Sequence, residues 1–193
     1  VTKYCDGYYM EGQDYWRLAG IFDDVYVFAT PKTRLFDWQV ITDLDEQYKD
    51  ADLLVNAYIK NYGAEAKSLK VNALLTDKQG NTVAEFASSA IDVSEGRTGN
   101  VALKQRIGNP LKWTSETPNL YNLKLQLTQG GRMVDEVDMR IGIKETKIIG
   151  ETFYLNGVPL KVNAQNSHMQ HPELGHVMTE EVIRKDFELL KKF

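Results

Sequence analysis

DLLVNAYIKN, residues 52–61, puts Leu53, Val55, Ala57 and Ile59 at every second position. Side chains of an extended chain point to opposite sides in turn, so these four share one face, as they would in a strand with one side on a core. NLYNLKLQLT, residues 119–128, repeats the pattern with Leu123, Leu125 and Leu127. Around these two runs lie others of the same kind: DVYVFATP (24–31), RLFDWQVITDL (34–44), LKVNALLTD (69–77), TVAEFASSAI (82–91), NVALKQRI (100–107) and MVDEVDMRIGI (133–143). The breaks between them carry turn residues, at Asn61 to Gly63, at DKQGN (77–81), from Gly96 to Asn100, and at Gly130-Gly131, which fits a two-residue hairpin loop. Seven or so strands in about 110 residues, with no helical stretch among them, predict an immunoglobulin-like β-sandwich. The Cys–Trp–Cys core of antibody domains is absent, so this expectation rests on strand number and spacing.

A shorter unit follows. TFYLNGVPLKVNA (152–164) reads as two strands about Asn156-Gly157, a strong hairpin signal. Beyond it, TEEVIRKDFELLKKF predicts an amphipathic helix with Thr179 as N-cap and Glu180 and Glu181 in the first turn. Ile183, Phe187 and Leu190 form its apolar stripe, widened by Val182, Leu189 and Phe193. Strand, loop and helix in that order are how a (β/α) barrel begins. Because the first residues open in mid-pattern and the helix stops on Phe193 without a cap, the chain is expected to be a fragment of a larger protein.

Bulk composition narrows the classes. A hydrophobic content of 42% suffices for a real core, and a net charge of −4 with scattered lysines argues against a nucleic-acid partner. No 18-residue apolar run is present, so no membrane span is expected, and no signal peptide is legible at the start. Cys5 is the single cysteine, which leaves the compartment open.

NSHMQHPELGH (166–176) contains all three histidines, His168, His171 and His176. A metal site needs imidazoles that converge on a fixed geometry. Here they are spread through a loop with Pro172 and Gly175, with no cysteine near, and nothing forces convergence. The plain alternative is that they are solvated or hydrogen-bonded loop residues. His168 differs by position, since it follows the expected strand LKVNAQN where a barrel presents side chains to a ligand. Asn166 beside it would add an amide donor and acceptor.

Three segments carry a family resemblance. NGVPLKVNAQNSHMQHPELGHVMTEEVIRKDFELLKKF (156–193) resembles the start of the catalytic barrel of glycoside hydrolase family 2. WTSETPNLYNLKLQL (113–127) is similar to the signature of that family's immunoglobulin-like domain. CDGYYMEGQDYWRLAGIFDDVYVFATP (5–31) is similar to the stretch that closes its sugar-binding jelly roll, in the form typical of β-galactosidases. The resemblance implies a mainly β chain in three pieces: the jelly-roll tail at 1–31, a complete immunoglobulin-like β-sandwich at 32–146, and the first β-strand and α-helix of a (β/α)8 TIM barrel at 147–193.

The implied parent is a β-galactosidase that hydrolyses terminal β-D-galactosides with retention. Such chemistry uses two carboxylates about 5–5.5 Å apart. Asp6, Glu11, Asp14 and Glu173 are available here, yet no spacing marks a pair. The family's two glutamates belong to later barrel strands, so no catalytic residue is expected in this chain and it should be inactive alone. His168 matches the histidine that binds galactosyl hydroxyls. Asp6 matches an aspartate near the sugar and a sodium ion, its plain alternative being a turn residue before Gly7. The whole enzyme would use Mg²⁺ and Na⁺ and form a homo-oligomer, while this stretch holds no cofactor of its own. Met169, Ser167, Ala164, Asp23 and Cys5 stand where the family has glutamate, arginine, glycine, arginine and serine, which bears on the preferred substrate. Two other readings stand beside this one: a non-catalytic immunoglobulin-like module of a carbohydrate-handling protein, and a family 2 enzyme of another glycoside specificity.

Overall fold

The computed structural model describes residues 5–10, 16, 18, 20, 21, 23–164 and 166–193, and of Tyr8 the backbone alone. Two compact units result, one of residues 29–161 and the other joining described residues of 1–28 to 162–193.

The first unit is built of antiparallel strands. β1 (Thr33–Leu44), β2 (Ala51–Asn61) and β6 (Thr98–Ile107) make one sheet in the order β1-β2-β6. The second sheet runs β4 (Thr82–Ala87), β3 (Ala66–Thr76), β7 (Tyr121–Gln129), β8 (Arg132–Ile141), with β5 (Ile91–Val93) also on β3. The alternation read from sequence sets the faces: Leu53, Val55, Ala57 and Ile59 on β2 and Leu123, Leu125 and Leu127 on β7 are wholly buried in a single core. At the start of β7 the Tyr121 hydroxyl accepts the Leu111 N–H at 2.8 Å, the tyrosine corner of immunoglobulin-type sandwiches. The mainly β sandwich expected from strand spacing is thus the observed architecture.

Three details depart from the sequence reading. TVAEFASSAI is two strands, because Ser88 interrupts the ladder: its N–H bonds to Val71 O at 2.9 Å and its hydroxyl accepts the Val71 N–H at 3.0 Å. DVYVFATP forms no strand; a strand needs a ladder partner, and Val25 and Val27 stand exposed. Among the described residues of LKVNAQN, pairing reaches only to Leu160, whose N–H bonds to Phe153 O at 2.8 Å, and Gln165 lies outside the described residues.

A small sheet follows in the same unit, β11 (Val158–Pro159), β10 (Thr152–Leu155), β9 (Thr146–Ile149). Asn156 and Gly157 make its turn with φ of 50° and 77°, the left-handed backbone that Asn-Gly adopts most readily. A side chain at Gly157 would run into the Tyr48 ring, so the glycine is needed for close approach as well as for φ.

In the other unit, α1 (Gly7–Met10) is a single turn and α2 (Glu180–Lys192) is the predicted helix. The Thr179 hydroxyl accepts the Val182 N–H at 3.4 Å, and no residue of α2 is buried. No described helix is long and apolar enough to cross a membrane. The described chain closes no barrel.

Candidate functional site

The histidine loop is organised by its middle member. His171 and Gly175 exchange two backbone hydrogen bonds, at 2.8 and 2.9 Å, which pinch residues 171–175 into a closed turn. Inside it the His171 ring accepts, through Nδ1, the N–H groups of Glu173 and Leu174, each at 3.2 Å. An imidazole nitrogen accepts only through an unprotonated lone pair, so Nδ1 serves here as acceptor. Gly175 completes the turn with a φ of 68°, and a Cβ there would press on Leu18 at 2.8 Å. His171 is therefore a loop staple, and His176 is half-buried nearby in sequence.

Asn166 and His168 are exposed, and the His168 carbonyl accepts the Gln170 N–H at 3.0 Å. Asp6 is exposed too, with its carbonyl taking the Tyr9 N–H at 3.2 Å to start α1. All three fall in the unit formed by the two ends of the chain. Glu173 is exposed at the tip of the stapled loop, and Glu11 and Asp14 lie outside the described residues. Among the described residues no three of His, Cys, Asp and Glu come together as metal ligands would.

Within the sandwich unit the structure assembles a polar cluster that no motif announced. Glu145, 7% exposed, sits between the end of β1 and the start of the small sheet. One carboxylate oxygen takes the Lys147 ammonium at 2.6 Å, and the other accepts the Leu44 N–H at 3.1 Å. Its backbone and Asn156 are joined twice, by Glu145 N–H to Asn156 Oδ1 and by Asn156 N–H to Glu145 O, both at 2.9 Å. Asn156 Nδ2 then donates to Trp113 O at 3.0 Å. A cleft of about 510 Å³ runs beside the cluster, lined among others by Ile41, Leu54, Asp43, Asp52, Lys104 and Lys144.

The charges tune one another. A hydrogen bond to Glu145, with burial and the Glu145 charge behind it, raises the Asp43 carboxyl above its ordinary value. Burial works against the ionised Glu145, but the hydrogen bonds from Lys147, Asp43 and the Leu44 N–H outweigh it and hold its carboxyl low. Two adjacent carboxyls driven apart in this way resemble an acid–base couple. Both Glu145 oxygens are already taken, however, so the cluster fastens the small sheet to the sandwich. Sequence reasoning missed it because Leu44 and Glu145 lie 101 residues apart and no local pattern joins them.

Residues 33–144 match the family model described as Glycosyl hydrolases family 2. Among solved structures, a β-glucuronidase of Bacteroides uniformis superimposes with a TM-score of 0.79 at 23% identity, covering 93% of this chain and 23% of that one. A putative β-galactosidase of Bacteroides fragilis gives 0.70 at 23% identity, covering 83% and 25%. A family 2 glycosyl hydrolase of Bacteroides cellulosilyticus gives 0.76 at 23%, covering 84% and 23%. The chain thus spans about a quarter of the length of these proteins.

Proposed function

This chain belongs to the glycosyl hydrolases family 2, and on that premise we propose that it is the central part of a retaining β-galactosidase. The family match over 33–144 carries the glycosidase reading. The galactoside reading is carried by CDGYYMEGQDYWRLAGIF, residues 5–22, with its resemblance to the β-galactosidase form of that stretch. In this reading the sandwich is a buttress. His168, with Asn166 beside it, hydrogen-bonds the hydroxyls of the terminal sugar, which a neutral imidazole does through one donor and one acceptor nitrogen. Asp6 reaches the same sugar and supplies one carboxylate to a sodium ion. Magnesium and homo-oligomer formation belong to the whole enzyme.

The acid/base and nucleophile would be two glutamates of the remaining barrel, one protonating the leaving oxygen and the other forming the glycosyl-enzyme. The pure 193-residue chain should therefore give no turnover of an aryl β-galactoside, and real turnover would overthrow the division of labour. A glucuronide specificity is the second reading, favoured by the β-glucuronidase among the similar structures. Comparing kcat/KM of the whole enzyme on aryl β-galactoside and aryl β-glucuronide decides between them. In the first reading His168→Ala lowers kcat/KM by about 10²-fold or more, as expected when hydrogen bonds that strengthen in the transition state are lost. An unchanged value would remove His168 from the pocket.

A further inference from the structure

One end of the β1-β2-β6 sheet breaks a rule that the other end obeys. Arg34 on β1 and Lys60 on β2 are direct cross-strand partners on the outer face, each with its head turned toward a ring two residues further along the chain. Like charges directly opposite each other cost a sheet stability. At the far end of the same sheet the cations are matched, Arg106 to Asp45 at 2.8 Å and Lys104 to Asp52 at 2.8 Å. Arg34 and Lys60 enter no ion pair among the described residues.

Each cation instead lies over an aromatic ring. The Arg34 guanidinium is 5.3 Å from the centre of Phe36, and the Lys60 ammonium is 5.4 Å from that of Tyr62. Lys60 also donates to Gly96 O at 2.8 Å, whereas the buried Nε of Arg34 has no hydrogen-bond partner. The rings are open to solvent, Phe36 at 51% and Tyr62 at 53% exposure. Phe36 falls where the register slips between Leu35 and Asp37, so a bulge holds it out of the regular ladder. Tyr58 precedes Lys60 by two residues on the same face and is half-buried.

Exposed rings and two cations without a carboxylate partner, opposite each other in the register, together point to a ligand that supplies the missing charge and covers the rings. The carbon-bound hydrogens of a pyranose lie flat on an aromatic face, and a carboxylate on the same sugar bonds to guanidinium or ammonium. We propose that Arg34, Phe36, Lys60 and Tyr62 form a docking patch for a carboxylate-bearing oligosaccharide, a glycan chain containing uronic acids. The patch deepens the glycosidase reading and rests on it for the class of ligand; the demand for negative charge comes from the two cations alone.

Calorimetric titration of the full chain tests this, with tetragalacturonic acid as probe, maltotetraose as neutral control and a short oligothymidylate as a polyanion without uronic acids. Tetragalacturonic acid should bind about tenfold or more tighter than either control, a factor that a few charge-assisted and ring contacts supply. Phe36→Ala/Tyr62→Ala removes the rings and keeps the charges, and Arg34→Gln/Lys60→Gln does the reverse; each pair should weaken binding about tenfold with Tm unchanged or raised. No binding at about 10 mM probe, equal binding of oligothymidylate, or indifference to the ring pair would overturn the patch. Hydrolysis of aryl glycosides by the whole enzyme is read separately. Its failure sinks the proposed function, while the patch stands or falls by the titration.

Discussion

Asn61 shows how far a single residue can differ from its local reading. By composition it opens the turn Asn61–Gly63; in the structure it is the last residue of β2 and completely buried. Its carbonyl oxygen accepts from the Thr33 hydroxyl at 2.9 Å and the Gly63 N–H at 3.0 Å. Its amide nitrogen donates to Ala64 O at 2.7 Å and Val93 O at 2.9 Å. One side chain thus ties β1, β2, β5 and the following loop. Asn61→Asp would set a carboxylate oxygen against two carbonyls in a buried site. The expected loss is about 3–5 kcal/mol, the range for a buried charge left without its partner, against about 1–3 kcal/mol for Asn61→Ala. Urea unfolding followed by tryptophan fluorescence measures both, and an Asp variant as stable as the wild type would refute the network. The turn was legible because Asn and Gly are frequent turn residues, although neither Asn61 nor Gly63 takes a positive φ; the burial was not, since it depends on partners as far off as Val93.

At the scale of elements the hairpin β10–β11 was readable from Asn156-Gly157, but its fastening to the sandwich was not. The fastening runs through Glu145, and its ionisation decides when it holds. The Glu145 carboxyl is held below its ordinary 4.5, so its contribution is complete above that pH and is lost as pH falls through the lowered value. Asp43 is raised above its ordinary 3.8, so its contribution is complete below that pH and fades as pH rises through the raised value. Glu145 thus favours the fold toward higher pH and Asp43 toward lower pH, and because the two carboxyls touch they titrate as a pair. Glu145→Gln should lower stability at pH 7 by about 1–3 kcal/mol, the usual cost of weakening charged hydrogen bonds, and the deficit should narrow toward pH 3. Asp43→Asn should do the opposite at pH 7, holding or raising Tm, because the amide donates to Glu145 without a second negative charge. Melting curves of the three proteins at pH 3, 4 and 7 test this, and a Glu145→Gln deficit that is the same at every pH would sink the linkage. The expected strand LKVNAQN failed for the matching reason: its apolar residues signal burial, but no described strand lies beside it to complete a ladder.

For the whole molecule, apolar periodicity located the sandwich because every member of its core comes from one continuous stretch, Leu35 to Ile143. The end segments gave equally apolar patterns with a different result: Val25, Val27, Phe187 and Leu190 are exposed, and α2 buries none of its residues. A pattern reports that a face wants cover, and the cover itself must come from elsewhere. The stability of the chain should therefore reside in the unit of residues 29–161. A protein cut to those residues keeps the core cluster, the Asn61 network and the Glu145 fastening, and it should unfold in one cooperative transition with a Tm within about 4 °C of the full chain, a shift worth under about 1 kcal/mol for a domain of this size. By contrast, a 13-residue helix with nothing buried is marginal in water, so amides of Glu180–Lys192 should exchange far faster than those of β2, β3 and β7. Calorimetry of the cut protein and hydrogen exchange of the full chain test this independently. A fall in Tm of about 10 °C or more on removing the ends, or α2 amides as protected as those of β7, would show that the end segments help to hold the sandwich together.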